Sequence, residues 1–187
     1  MKYFLFTTII SLLLPLFTLS QWSTDPAVNN PINIMSGEQA IPKIATCPNG
    51  DTYIASFSSE SGNYNVRMQR LNAQGVPQWT TNGILISDNP QDSWLTDWDM
   101  TADNANHAIL VFPDIRNGGA NVVAYRISPT GSFVWGDDGI VLSTGDGNYS
   151  PKVTATAAGN AIVAWPQEDV IHVQKISPTG SDRKSVV

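Results

Sequence analysis

Alternation of apolar and variable positions is the dominant pattern of the chain. Tyr53, Ala55 and Phe57 alternate with less regular neighbours, and Ile109 with Val111 and Ile162 with Ala164 repeat the spacing. A period of two in β-branched and aromatic residues marks strands that bury one face. No window after residue 20 carries a helical period. In the first stretch the spacing predicts strands over 44–46, 53–57, 66–71 and 83–87. Gly50, Asn106 and Gly159 fall at one aligned position between predicted strands, where a tight hairpin needs a residue tolerant of the left-handed backbone.

The strands belong to a repeat. Gly75 and Gly131 stand 56 positions apart, as do Trp79 and Trp135. The line from Met68 to Trp79 matches that from Ala124 to Trp135 without a gap, and a third line begins at Val173 and runs to Gly180. Trp22, 57 residues before Trp79, opens the first copy. The copies are bounded approximately at 22–78, 79–134 and 135–181, the last incomplete. The expected fold class is therefore all-β, with about three four-stranded antiparallel repeats forming part of a β-propeller; an open β-repeat stack is the alternative. Tryptophans in such repeats would dock between blades, where the ring is buried and the indole N–H finds an acceptor. A basic residue recurs at Arg70, Arg126 and Lys175; it could lie along such a ring of blades, and a strand-end side chain on the solvent face is the other reading.

The two ends depart from this pattern. Residues 1–20 combine a short basic start, an apolar run from Phe4 to Leu14, Pro15, and small residues before a cleavage point between Ser20 and Gln21. This is the layout of a secretory signal peptide, too short to be a membrane anchor. Residues 182–187, Asp-Arg-Lys-Ser-Val-Val, resemble the start of a common sequencing adapter read in frame, so they read as a non-native tail. Residues 21–181 would then be a fragment of a larger protein, because three repeats do not close a propeller.

Composition narrows the function classes. With 42% hydrophobic and 14% charged residues the chain is too apolar and too poor in charge for a disordered tail. The net charge of −6 becomes −8 over residues 21–181, with 7 basic and 15 acidic side chains, which argues against nucleic acid as a partner. A single cysteine, Cys47, provides neither an internal disulfide nor a cysteine-rich metal site.

Trp135 with Gly139-Ile140, Pro151-Lys152-Val153, the run from Gly159 to Trp165, and Gln174-Lys175-Ile176-Ser177 with Gly180 together resemble secreted repeat proteins of bacteria with type IX secretion. That resemblance implies a propeller-like fold and export, and it carries no catalytic residue. The segment Thr130 to Trp135 is also similar to the tryptophan-docking motif of quinoprotein propellers. That motif has an aspartate three residues before the threonine, where this chain has Ile127.

Little chemistry assembles on this frame. His107 and His172 fall at non-equivalent positions, the first in a hairpin turn and the second in a strand. The least repetitive stretch, residues 88–103, holds Asp88, Asp92, Asp97, Asp99 and Asp103 with Trp94 and Trp98. Carboxylates can ligate calcium, and aromatic faces beside them suit sugar rings. The stretch lacks the glycine and terminal glutamate of an EF-hand. Trp94, Trp98, Asp92, Asp97 and Asp99 are accordingly the candidate binding residues, set against a reading of the stretch as a solvated loop with Trp98 in the core. No catalytic residue, cofactor or metal is expected. The sequence points to an exported, non-catalytic module for binding or adhesion to a glycan or a surface protein. The alternative is the scaffold part of an extracellular hydrolase or carbohydrate-active enzyme whose catalytic residues lie in the missing part.

Overall fold

The computed structural model describes residues 22–183 apart from 24, 61, 92–96 and 146–148. The proposed signal peptide with its cleavage site at Ser20 and Gln21, the candidates Asp92 and Trp94, and the last four residues of the tail lie outside the described residues.

The fold is all-β. The first antiparallel sheet contains β1 (Gln39–Thr46), β2 (Thr52–Ser58), β3 (Asn65–Leu71) and β4 (Ile84–Ser87) in sequential order. The second repeats that order with β5 (Asp99–Ala102), β6 (Ala108–Asp114), β7 (Asn121–Ile127) and β8 (Ile140–Val141). The third contains β9 (Lys152–Ala155), β10 (Ala161–Gln167), β11 (Val170–Ile176) and β12 (Asp182–Arg183). Among the described residues there is no helix, and so none long and apolar enough to cross a membrane. The first two sheets begin within one sequence copy and take their fourth strand from beyond the next tryptophan, β4 from beyond Trp79 and β8 from beyond Trp135.

The turns follow the aligned residues. Gly50, Asn106 and Gly159 have φ of 86°, 62° and 75°, so the hairpin between the first two strands of every sheet rests on the same left-handed position.

Packing explains why the alternation is clear in some strands and blurred in others. Tyr53, Phe57 and Met68 on one face of the first sheet pack against Trp98, Leu110, Phe112 and Tyr125 of the second. Ile109, Val111, Val122 and Ala124, on the opposite face of the second sheet, pack against Val163, Trp165 and Ile176 of the third. The second sheet is thus covered on both sides, so β6 and β7 are nearly continuous apolar runs. β10 keeps its alternation because only one of its faces is buried.

β12 differs from β4 and β8. It pairs Asp182 with Ile176, six residues back, as the isolated bridges pair Pro77 with Leu71 and Phe133 with Ile127. The positions of β11 that match the β4-paired part of β3 and the β8-paired part of β7 have no strand beside them among the described residues.

Candidate functional site

Recurring side chains tie each sheet to the next. Trp22 donates its indole N–H to the carbonyl of Ala73 (3.3 Å), Trp79 to that of Pro129 (3.2 Å) and Trp135 to that of Pro178 (3.1 Å). In every case the acceptor lies two residues before the turn glycine, Gly75, Gly131 or Gly180. The ring lies against that glycine: a Cβ added at Gly75 would come within 2.7 Å of Trp22, and one at Gly180 within 3.0 Å of Trp135. The glycine thus serves close approach as well as turn geometry.

The recurring basic residue forms a second tie. Arg70 pairs with Asp51 in its own sheet and donates to the Pro129 carbonyl of the next at 2.8 Å. Arg126, 4% exposed, pairs with Asp103 and donates to the Gly159 carbonyl of the third sheet at 2.8 Å. The solvent-face reading of these arginines is corrected: planar guanidinium groups satisfy a carboxylate and a carbonyl at once, which holds them between sheets. Asp51 and Asp103 are not aligned. One ends its turn and the other begins it, so position-by-position comparison of the copies misses them. Each five-residue turn window, 47–51 and 103–107, does contain one aspartate, and the third, 156–160, contains none.

The acidic stretch divides when its side chains are placed. Asp97 accepts from Lys43 of β1 (2.7 Å) and from Lys152 of β9, joining the first and third sheets in front of the second. These two lysines draw its carboxyl down from 3.8 to about 2, with the Lys152 hydrogen bond the largest cause. Asp99 accepts from the Val153 backbone N–H at 3.0 Å. Asp103 accepts from the N–H groups of Ala105 and His107 as well as from Arg126. Trp98 is fully buried between Phe57 and Phe112 and donates its N–H to Ile41 at 2.8 Å. Trp98 therefore offers no face to a ligand, because a strand entering the core carries it inward. Asp97, Asp99 and Asp103 act as sheet and turn ties, while Asp88 is exposed. Among the described residues no three His, Cys, Asp or Glu side chains converge as metal ligands would.

His107 sits within 3.3 Å of Asp103 in its turn. Cys47 is buried beside the Asn106 carbonyl, and burial, followed by the charge of Asp51, pushes its thiol up to about 11. A thiol held so high is inert at neutral pH.

Sequence reasoning did not single out the groove between the outer parts of the second and third sheets. It has a volume of about 400 Å³, and its walls include Ser143, Thr144, Trp165, Gln167, His172 and Gln174. Trp165 and His172 are directly opposite in the β10–β11 pairing and stack at 5.8 Å with an interplanar angle of 18°. The buried indole N–H of Trp165 has no acceptor among the described residues. The groove therefore combines an aromatic pair, two amides and two hydroxyls, and among the described residues His172 is its only titratable lining group. The signal available in the sequence was Trp165 opposite His172 across a short hairpin, which only the strand register makes meaningful.

Comparison with known proteins gives no match to any family model and none to a curated protein.

Proposed function

We propose that the chain is an exported, non-catalytic β-repeat module that binds glycans, its sheets being successive blades of a β-propeller. The Trp165–His172 groove carries the binding reading. A flat aromatic pair with amides and hydroxyls suits a neutral, hydroxyl-rich ligand better than an anion, which would require a basic lining. The propeller reading is supported by the inner strands β1, β5 and β9 packing side by side and by the same tryptophan tie between successive sheets. Export rests on residues 1–20, and the type IX route on the repeat motifs quoted above.

Titration of the protein with neutral polysaccharides, read by tryptophan emission and calorimetry, tests the binding reading. Saturable binding is expected, with at least tenfold weakening in His172→Ala, which removes the exposed ring of the stacked pair. Trp94→Ala should leave the affinity unchanged. Binding that survives His172→Ala and disappears in Trp94→Ala would move the site to the acidic loop. Turnover of the polymer would replace the reading with a hydrolase.

A further inference from the structure

Asparagine precedes glycine three times in the chain, at Asn49-Gly50, Asn82-Gly83 and Asn117-Gly118. This dipeptide carries a chemistry of its own. The glycine backbone nitrogen can bond to the side-chain carbonyl carbon of the asparagine and close a five-membered ring, and glycine has no Cβ to obstruct the approach. Ring closure requires both groups to be free to move, and the fold restrains the three pairs differently.

One restraint is common to all. Each glycine donates its backbone N–H within a turn, Gly50 to Cys47 at 3.0 Å, Gly83 to Thr80 at 2.9 Å and Gly118 to Ile115 at 3.0 Å. The asparagine side chains are held unequally. Asn49 donates through Nδ2 to the Asp51 carboxylate at 3.0 Å, and its Oδ1 accepts from the Asp51 N–H at 3.1 Å. Asn82 accepts from the Ile34 N–H at 2.9 Å and donates to the Met35 sulfur at 3.2 Å. Asn117 is exposed, and no hydrogen bond holds its amide among the described residues.

The glycines differ as well. Gly83 is buried against β3, where a Cβ would fall 2.1 Å from the Met68 carbonyl oxygen, so its peptide cannot rotate without displacing a strand. A Cβ at Gly50 would come within 3.3 Å of Ala73. A Cβ at Gly118 would meet nothing within 4 Å. Residues 115–120, which join β6 to β7, therefore leave room for the rotation that the ring requires.

We propose that Asn117-Gly118 is a self-modification site, where the folded chain converts the asparagine to a mixture of aspartate and isoaspartate. The Gly118 nitrogen gives its proton to solvent hydroxide and bonds to Cγ of Asn117. The Cγ–Nδ2 bond breaks, and the departing nitrogen takes a proton from water and leaves as ammonia. Water then opens the succinimide. Attack at the side-chain carbonyl leaves aspartate, and attack at the main-chain carbonyl leaves isoaspartate, with the chain routed through the side chain. Either product adds one negative charge to a loop whose basic residue, Arg116, is already paired with Asp114.

The test incubates the folded full chain at mildly alkaline pH and follows its peptides by mass spectrometry, with chromatographic separation of the aspartate and isoaspartate forms. Each side-chain hydrogen bond that must break before attack slows it by up to about tenfold, so Asn117 should convert at least about tenfold faster than Asn49 and Asn82. Both isomers should appear together, and the advantage of Asn117 should collapse when the chain is unfolded in urea. Equal rates at the three pairs in the folded chain would overturn the proposal, and so would conversion to aspartate alone, which signifies direct hydrolysis. An advantage that persists undiminished in urea would also overturn it, because the fold would then not be its source.

Discussion

At the residue scale, the charged side chains of this protein act mainly as fasteners. Arg126 and Asp103 are the clearest pair, both nearly devoid of solvent contact. A buried pair contributes modestly as a whole, but removing one partner strands a charge in a low-dielectric environment. Asp103→Asn should therefore destabilise the fold by about 3–5 kcal/mol in urea unfolding. The double change Asp103→Leu with Arg126→Met should recover most of that loss. If the double variant is no more stable than the single one, Asp103 matters through its turn bonds to Ala105 and His107 instead. The recurrence of Arg70 and Arg126 was legible in the sequence, but their carboxylate partners were not. Both aspartates lie in the same turn window at opposite ends, and a side chain can reach one arginine from either end.

At the scale of elements, the glycine and asparagine positions fixed the hairpins, and the alternation fixed the strands to within a few residues. β1 is the main departure. It begins five residues before the predicted start, across a bulge between Ala40 and Lys43. That bulge places Ile41 at a φ of 47° and leaves its carbonyl to accept from Trp98. A β-branched residue in that region is costly, and no sequence pattern announces it. The seating of β4 on β3 offers a sharper test. Gly83 lies so close to β3 that an added Cβ would fall 2.1 Å from the Met68 carbonyl oxygen, whereas a Cβ at Gly118 meets open space. Both have positive φ, so Gly118→Ala should cost only the backbone strain of about 1–2 kcal/mol. Gly83→Ala should cost about 1–3 kcal/mol more through overlap, read as a lower urea midpoint. Equal midpoints would mean that β4 is loosely held.

At the scale of the whole molecule, the repeat specifies how one sheet meets the next as well as how each folds. The 56-residue spacing of Trp79 and Trp135 was visible, and so was the glycine four residues earlier. Their meeting across sheets was not, because each tryptophan reaches the glycine near the far end of its own copy rather than the one four residues before it. The candidate site was less legible still: Asp97, Asp99 and Trp98 looked like a ligand cluster in one dimension and separate into ties and core in three. Asp97 also gives the molecule an acid dependence. Its carboxyl is held at about 2 against an ordinary 3.8, so its contribution is complete above about pH 4 and is lost as pH falls toward 2. Because the pair with Lys152 is half exposed, the effect should be below about 1 kcal/mol and should shrink with added salt. Asp97→Asn should flatten the stability profile between those pH values, and an unchanged slope would show that the lysine contacts contribute nothing.

The central claim is that tryptophan ties make the sheets one cooperative body. Urea unfolding followed simultaneously by indole emission and far-UV circular dichroism tests it most directly, in the wild type and in Trp135→Ala. The account predicts one coincident transition in the wild type, lowered for both probes together in the variant by about 3–5 kcal/mol, the usual cost of deleting a buried tryptophan. Two separated transitions in the wild type, or a variant that moves only the fluorescence curve, would contradict it.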